Sequence, residues 1–156
     1  MFIGCTPDCA AQTADSLIAE DLRNHGVTFT TNNAVTLLMT GQEKFDDLFK
    51  AIDQARSSIH LEYFNFRNDS INKELINHLA RKAKEGVEIR AIFDGFGNAS
   101  NNRPMRKKHL REIREKGIEI YEFKTIAFPW IHDIFNRDHR KIAVIDGRIG
   151  YTGGMN

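Results

Sequence analysis

Short runs of alternating apolar and polar residues recur along this chain, separated by stretches whose apolar residues have helical spacing. Between residues 58 and 66, for example, Ile59, Leu61 and Tyr63 point one way, which predicts a strand with one buried face. The predicted strands are residues 34–39, 58–66, 87–93, 118–123, 138–145 and 148–152. The predicted helices are residues 10–24, a helix opened by a Thr40-x-x-Glu43 capping box, and two helices running from about Ser70 to Gly86 and from Pro104 to Gly117.

Repeated strand–helix–strand units of this kind predict an α/β fold with a mixed, largely parallel sheet flanked by helices. In such folds, functional residues gather where strands end at their carboxyl side. Residues 94–102, DGFGNASNN, are predicted to form a loop, and Asp146-Gly147 is predicted to form a tight turn between the last two strands.

The composition is that of one globular domain, with 41% apolar and 28% charged residues in a chain of 156. The net charge of +1 argues neither for nor against a polyanionic partner. No apolar run approaches the roughly 18–20 residues that a transmembrane helix needs, and the N-terminus lacks the basic region of a secretory signal. We therefore interpret the chain as cytosolic, with Cys5 and Cys9 as reduced thiols rather than metal ligands or a disulfide.

Reactive side chains are concentrated in the last 25 residues, beginning with His139 and Lys141. The period of a strand places both on one face, with Ile142 and Val144 on the other. An imidazole beside an ammonium suits an anion that must also be attacked, since histidine can act as a nucleophile or an acid–base group near neutral pH. Asp146 is spaced to orient or charge-balance such a histidine.

The residues that follow complete a cradle for one phosphate group. Gly153 and Gly154 allow a close backbone approach, and Asn156 adds an amide donor.

The pattern H-x-K-x4-D-x6-G-G-x-N resembles the signature of the phospholipase D superfamily. Beyond the signature, stretches such as LARKAKEGVEIRAIFDGFG and RDHRKIAVIDGRIGYTGGMN make residues 28–156 similar to bacterial cardiolipin synthases. The resemblance implies a phospholipase D-like catalytic lobe over residues 28–156, preceded by an N-terminal segment, residues 1–27, with a short helix.

Those enzymes join two phosphatidylglycerol molecules into cardiolipin and release glycerol. The resemblance implies that one motif histidine attacks the phosphodiester to form a phosphohistidine, while a histidine from a second motif copy protonates the leaving alcohol. It makes His139 a catalytic histidine, Lys141 and Asn156 phosphate-binding residues, and Asp146 a supporting carboxylate. It implies no metal and no cofactor.

Glu62 resembles a position shared by the synthases, although an exposed strand acid paired with a neighbouring cation explains it equally well. Residues 103–116 are strongly basic, which is typical of a solvated helix face or of a helix attracted to anionic phospholipid. The aromatic residues within 126–131 could lie at headgroup level or pack in the core.

The expected partners are phosphatidylglycerol, the cytoplasmic face of the cell membrane as a peripheral contact, and a second motif-bearing lobe. No nucleic acid is expected. Two alternatives stay open: a single-motif phosphodiesterase or nuclease that acts as a homodimer, and an inactive fragment or interaction module. Because Asn156 is both the last residue and the last signature position, we expect the N-terminal half of a two-lobed enzyme that is inactive alone.

Overall fold

The computed structural model describes residues 14–30, 32–125 and 135–156. Contacts divide the chain into two units, Met1–Leu37 and Leu38–Asn156, later than the boundary after residue 27 expected from the sequence. Helix α1 (Ala14–Asn24) agrees with the predicted helix over its described residues. The prediction of a strand at residues 34–39 is wrong, because these residues form no regular element and pair with no described strand. Their apolar side chains therefore stay largely exposed.

The second unit is a five-stranded sheet with helices packed on one face. Its elements are α2 (Gly41–Gln54), β1 (Ser58–Tyr63), α3 (Ser70–Lys84), β2 (Glu88–Asp94), α4 (Gly95–Ser100), α5 (Lys107–Arg114), β3 (Glu119–Phe123), β4 (Lys141–Ile145) and β5 (Ile149–Thr152). The strand order is β3-β2-β1-β4-β5, with β1, β2 and β3 parallel. Strand β4 is antiparallel to β1 and β5 is antiparallel to β4, so the predicted mixed α/β sheet is confirmed.

Local sequence explains where several elements begin. The predicted capping box opens α2, because the Glu43 amide donates to the Thr40 hydroxyl at 3.1 Å and the Glu43 carboxylate accepts from the Thr40 amide at 3.2 Å. The predicted turn joins β4 and β5, with φ of +53° at Asp146 and +64° at Gly147, the backbone that an Asp-Gly pair favours.

Two predictions near the middle of the chain are wrong. Residues 94–102 are not simply a loop, because the Asp94 carboxylate accepts hydrogen bonds from the Phe96 and Gly97 amides and thereby caps the short helix α4. Pro104 does not open the next helix, since it pairs with Arg67 in an isolated bridge and α5 begins only at Lys107.

The core lies between the sheet and helices α2, α3 and α5. Every second residue of β1, β2 and β4, such as Leu61 and Ala143, faces this layer and is buried. The other face of the sheet is more open, with Tyr121 on β3 58% exposed. The helices therefore cover one face only of the described sheet, and the side chains at the strand ends lie at its rim.

Candidate active site

The strand register brings most of the signature to one end of the sheet. Lys141 pairs with Tyr63 at the carboxyl end of β1, because β4 runs antiparallel to β1. Strand β5 then runs back along β4, pairing Thr152 with Ile142, so residues 153–156 continue toward that same end. His139, Lys141 and the residues after β5 thus meet where an α/β sheet commonly carries its site.

His139 and Lys141 share one aromatic neighbour, Phe64. The His139 and Phe64 rings are 4.6 Å apart between centroids, and the Lys141 Nζ lies 5.1 Å from the Phe64 centroid. The Lys141 Nζ also donates a hydrogen bond to the His139 carbonyl oxygen at 2.7 Å. The strand starts at Lys141 rather than at residue 138, so His139 is exposed in the segment that leads into it.

The ammonium group of Lys141 is shielded from water, since the residue is only 7% exposed. Burial lowers the pKa of Lys141 from its ordinary value, and the nearby Asp138 carboxylate opposes this shift only in part. A poorly hydrated cation attracts an anion more strongly than one in bulk water. Lys141 is therefore suited to hold a phosphoryl oxygen beside the His139 imidazole.

The segment before His139 is anchored by Asp94, which the sequence reasoning did not single out. Asp94 is fully buried at the carboxyl end of β2, and its carboxylate accepts a hydrogen bond from the Asp138 amide at 3.0 Å. Arg137 lies 3.5 Å from the same carboxylate. The available signal was an acidic residue directly after an apolar strand. The glycine, asparagine and serine residues that follow it led instead to the prediction of a loop.

Phe64 is in turn fixed by a close backbone approach at Gly97. A side-chain carbon at Gly97 would overlap the Phe64 carbonyl oxygen, so only glycine fits there. No sequence signal predicts this contact, because nothing in a single sequence shows which loop glycine meets which strand end.

Asp146 does not have the position expected from its spacing. It lies beyond the opposite end of the five-residue strand β4 from His139, and this strand alone is roughly 15 Å long at the usual rise per residue. Its carboxylate instead accepts hydrogen bonds from the amides of Arg56, Ser57 and Ser58 and from the Ser57 hydroxyl. The Ser58 amide is the largest cause of a pKa for Asp146 well below its usual range. The expected orientation of His139 by Asp146 is corrected: this aspartate holds the start of β1.

Gly153 and Gly154 face open space, since a side-chain carbon at either would meet no atom within 4 Å. Asn156 lines a pocket beside Tyr63. The segment between them is held by helix α2, because the Lys44 Nζ donates to the Met155 carbonyl oxygen at 3.2 Å. Lys44 is 7% exposed, and this burial lowers its pKa to about 8. Its four-residue spacing from the buried Leu48 was the signal that could have placed it in the core.

Glu62 lies on the sheet face opposite Lys141, because it pairs with Ile142 in the register of β1 and β4. Its carboxylate accepts a hydrogen bond from Arg140 at 3.2 Å. Burial and the adjacent Asp138 carboxyl group raise the pKa of Glu62, against the opposing effect of Arg140. The contact is that of a strand acid with a neighbouring cation, and a supporting role in catalysis stays a prediction.

Three other features bear on function. Among the described residues, no helix is long and apolar enough to cross a bilayer, and no three His, Cys, Asp or Glu side chains cluster as metal ligands would. The aromatic stretch at residues 126–131 and the two cysteines lie outside the described residues. The basic stretch forms helix α5, whose Leu110 and Ile113 are buried while its basic side chains are exposed.

Comparisons with known proteins agree with this geometry. Residues 48–156 match a family described as "Cardiolipin synthase, PLD-like domain". The chain is 41% identical over 136 residues to cardiolipin synthase 2 of Staphylococcus epidermidis, covering 86% of this chain and 27% of that protein. It is 42% identical over 136 residues to a cardiolipin synthase of Staphylococcus aureus, with the same coverage. Cardiolipin synthase 1 of Bacillus cereus is 40% identical over 121 residues, which cover 77% of this chain and 23% of the relative.

The chain thus spans about a quarter of the length of these relatives. Among solved structures, Nuc of Salmonella typhimurium, a phospholipase D family member, matches with a TM-score of 0.53 at 21% identity, covering 71% of this chain and 62% of that one. NucT from Helicobacter pylori matches with a TM-score of 0.52 at 19% identity, covering 74% and 67%. These two likenesses show a shared fold.

Proposed function

Because the chain belongs to the family of phospholipase D-like domains of cardiolipin synthases, we propose that it acts in a phosphatidyltransferase that joins two phosphatidylglycerol molecules into cardiolipin and releases glycerol. One observation carries the proposal beyond the family match. His139 and Lys141 both contact the aromatic ring of Phe64, at the end of the sheet toward which residues 153–156 run. An imidazole and a buried cation therefore lie side by side at the end of the sheet toward which the chain after β5 runs.

In the proposed reaction, an imidazole nitrogen attacks the phosphorus of phosphatidylglycerol, and the bond from phosphorus to the glycerol oxygen breaks. The leaving glycerol takes a proton from a second histidine, which a second motif copy supplies. That histidine then accepts the proton of the terminal hydroxyl of another phosphatidylglycerol, whose oxygen displaces the first imidazole from phosphorus. Cardiolipin is released, and both histidines return to their starting states.

Lys141 and Asn156 stabilise the negative charge that develops on the phosphoryl oxygens. The hydrogen bond from Lys141 to the His139 carbonyl and the contact of both with Phe64 fix the cation relative to the imidazole before substrate arrives. Asp94 holds the backbone that leads into His139. The proposed place of action is the surface of the cell membrane, where the substrate resides.

The test is a transfer assay with phosphatidylglycerol vesicles on a purified enzyme that contains this segment together with a second motif copy, in which cardiolipin and released glycerol are measured by mass spectrometry. We expect His139→Ala to abolish turnover, a loss of at least about 10³-fold, as for removal of a covalent nucleophile or its acid–base partner. The matched control is His60→Ala, which removes an exposed β1 histidine that pairs with Glu88 away from the site. Substantial cardiolipin formation by the His139→Ala protein would refute the assignment.

The isolated 156-residue chain, in the same assay, tests how two motif copies are brought together. A specific rate that rises with protein concentration and saturates would indicate that two copies of this chain form the site. No turnover by the isolated chain at any concentration would indicate that a different segment supplies the second copy. Cleavage of plasmid DNA in the presence of a chelator, without any cardiolipin, would replace the transferase proposal with the phosphodiesterase alternative.

A further inference from the structure

A pocket of about 300 Å³ opens beside Asn156, between the end of β1 and the first turns of α2 and α3. This volume is at the lower end of the range of about 300–1,000 Å³ that is usual for small-molecule sites. Three aromatic rings, those of Phe45, Tyr63 and Phe66, form part of its lining. Neither His139 nor Lys141 lines this space, whereas Asn156 does.

The rest of the lining combines Ile71 and Leu75 with polar side chains, and these include a buried amide with poor hydrogen bonding. Asn72, on α3, is 8% exposed, and its Oδ1 has no hydrogen-bond partner among the residues that the structure describes. Its Nδ2 donates only to the Met105 thioether, at 3.7 Å. Buried side-chain amides are normally satisfied, so an acceptor left without a donor needs an explanation. A ligand that donates a hydrogen bond would supply what Oδ1 lacks.

The charges around the pocket narrow the chemistry of that ligand. An anion has no proton to give to Oδ1, and it would also face the Asp69 carboxylate. An ammonium could donate a hydrogen bond, but two cations would repel it. Arg67 lines the pocket, and the Lys44 ammonium already lies 4.5 Å from the Phe45 centroid and 5.0 Å from the Tyr63 centroid. An acyl chain would bury the polar side chains without hydrogen-bond partners, which is unfavourable. A neutral hydroxyl both donates and accepts, and it is the group that remains.

We propose that this pocket is a polyol subsite that receives the glycerol of the phosphatidylglycerol headgroup, with Asn72 as its recognition residue. The proposal rests on the proposed phosphatidyltransferase function and assigns the alcohol side of the substrate. The phosphorus lies toward Lys141 and Asn156, and the attached glycerol extends past Asn156 into the pocket. The aromatic rings pack against the carbon atoms of the glycerol, and the side-chain amides of Asn65 and Asn72 form hydrogen bonds with its hydroxyls.

The test compares two soluble phosphodiesters by NMR titration of the 15N-labelled protein. One is glycerophosphoglycerol, and the other carries a propyl group in place of one glycerol. We expect the wild-type protein to bind glycerophosphoglycerol several-fold more tightly, and Asn72→Leu to remove this preference, a change of up to about tenfold for one or two neutral hydrogen bonds. The propyl ester should bind equally to both proteins. Asn77→Leu, on the exposed side of the same helix and outside the pocket, is the matched control.

A second variant avoids a buried position. Ile71 lines the pocket and is 44% exposed, so Ile71→Trp can fill the space from its rim while the core stays intact. This variant should weaken the binding of glycerophosphoglycerol more than the binding of the propyl ester. Equal affinity for both esters in the wild-type protein, lost together in Lys141→Ala, would overturn the pocket assignment and leave the phosphodiester site standing. Failure of both esters to bind at millimolar concentration would contradict the proposed function as well.

Discussion

At the scale of single residues, the carboxylate of Asp146 gathers hydrogen bonds from three successive backbone amides, those of residues 56–58. Such donors stabilise the ionised form, which is why the pKa of Asp146 is well below its usual range. Asn in its place keeps the size of the side chain and tolerates the left-handed backbone, but it replaces one acceptor oxygen with a donor that faces other donors.

We therefore expect Asp146→Asn to lower the Tm by several degrees at neutral pH. Because the folded-state pKa is depressed, the stabilisation from Asp146 is complete above the unfolded-state pKa of about 3.9 and is lost as the pH falls toward the folded value. The difference in Tm between the two proteins should be constant from about pH 5 to 7 and shrink below about pH 4. Thermal unfolding followed by circular dichroism across this range checks it. Asp46→Asn, an exposed change on α2, should leave the Tm unchanged, and a pH-independent deficit would contradict this account of Asp146.

Single residues also show how far sequence reasoning reaches. The signature nominated His139 and Lys141, and the structure brings them together. It did not reveal Phe64 or Asp94, because each acts through a contact between segments that are far apart in the chain. Asp146 was assigned to the wrong neighbour, since spacing along a strand does not say toward which end of the sheet a group's partners lie.

At the scale of elements, helix α5 combines a buried edge with an exposed basic surface. Leu110 and Ile113 pack in the core, whereas Lys107, Lys108 and Arg111 are exposed. Among the described residues, the ion pairs of Lys108 with Glu112 and of Arg111 with Glu115 are long, at 3.9 Å each. Exposed pairs of this kind contribute little to stability and leave the basic surface available to an anionic membrane.

If α5 meets anionic lipid, Lys107→Glu with Lys108→Glu should weaken binding to phosphatidylglycerol vesicles by about tenfold or more, at about 1 kcal/mol for each basic residue lost. Co-sedimentation at low and physiological salt measures this, and wild-type binding should fall with salt because charges are screened within about 8 Å at 0.15 M. Lys50→Glu with Lys84→Glu makes the same charge change on α2 and α3 and should have a smaller effect. Equal losses in the two double variants would assign the effect to net charge and not to α5.

Elements with strong periodicity were predicted best. Strands β1 to β3 and helices α2 and α3 follow the apolar spacing that buries their inner faces. Where prediction failed, a partner decided the structure. Residues 34–39 have the composition of a strand but no described neighbour to pair with, and residues 103–104 pair with residues 67–68 where a helix start was expected.

At the scale of the whole second unit, helix α2 and strand β5 are tied together across the chain. The Lys44 Nζ donates to the Met155 carbonyl, and the Tyr151 hydroxyl donates to the Asp47 carboxylate at 2.6 Å. Lys44 makes this link at a loss of stability, because burial disfavours its charged form and lowers its pKa to about 8. The link places Asn156 beside the pocket at the expense of stability.

Lys44→Met should therefore separate stability from binding. Between about pH 8 and 10.4 the unfolded chain holds more protons than the folded protein at this position, so wild-type stability gains with rising pH. The Tm of the variant relative to wild type should be highest at pH 7 and fall as the pH approaches 10. Its affinity for glycerophosphoglycerol should be lower, because the Met155–Asn156 segment loses its anchor. Lys50→Met, exposed on the same helix, should give a flat difference, and a flat difference for Lys44→Met would refute the buried-charge account.

The division of the signature between the two ends of β4 bears on how relatives of this chain can diverge. A lineage that abandoned catalysis would be free to replace His139 and Lys141, whose chemistry would no longer be selected, but it would still need an acceptor at residue 146 to start β1. The aspartate of the signature therefore marks an intact scaffold, whereas under the proposed function the histidine and lysine mark catalysis. A related sequence that keeps only the aspartate is best interpreted as an inactive relative that has kept the fold.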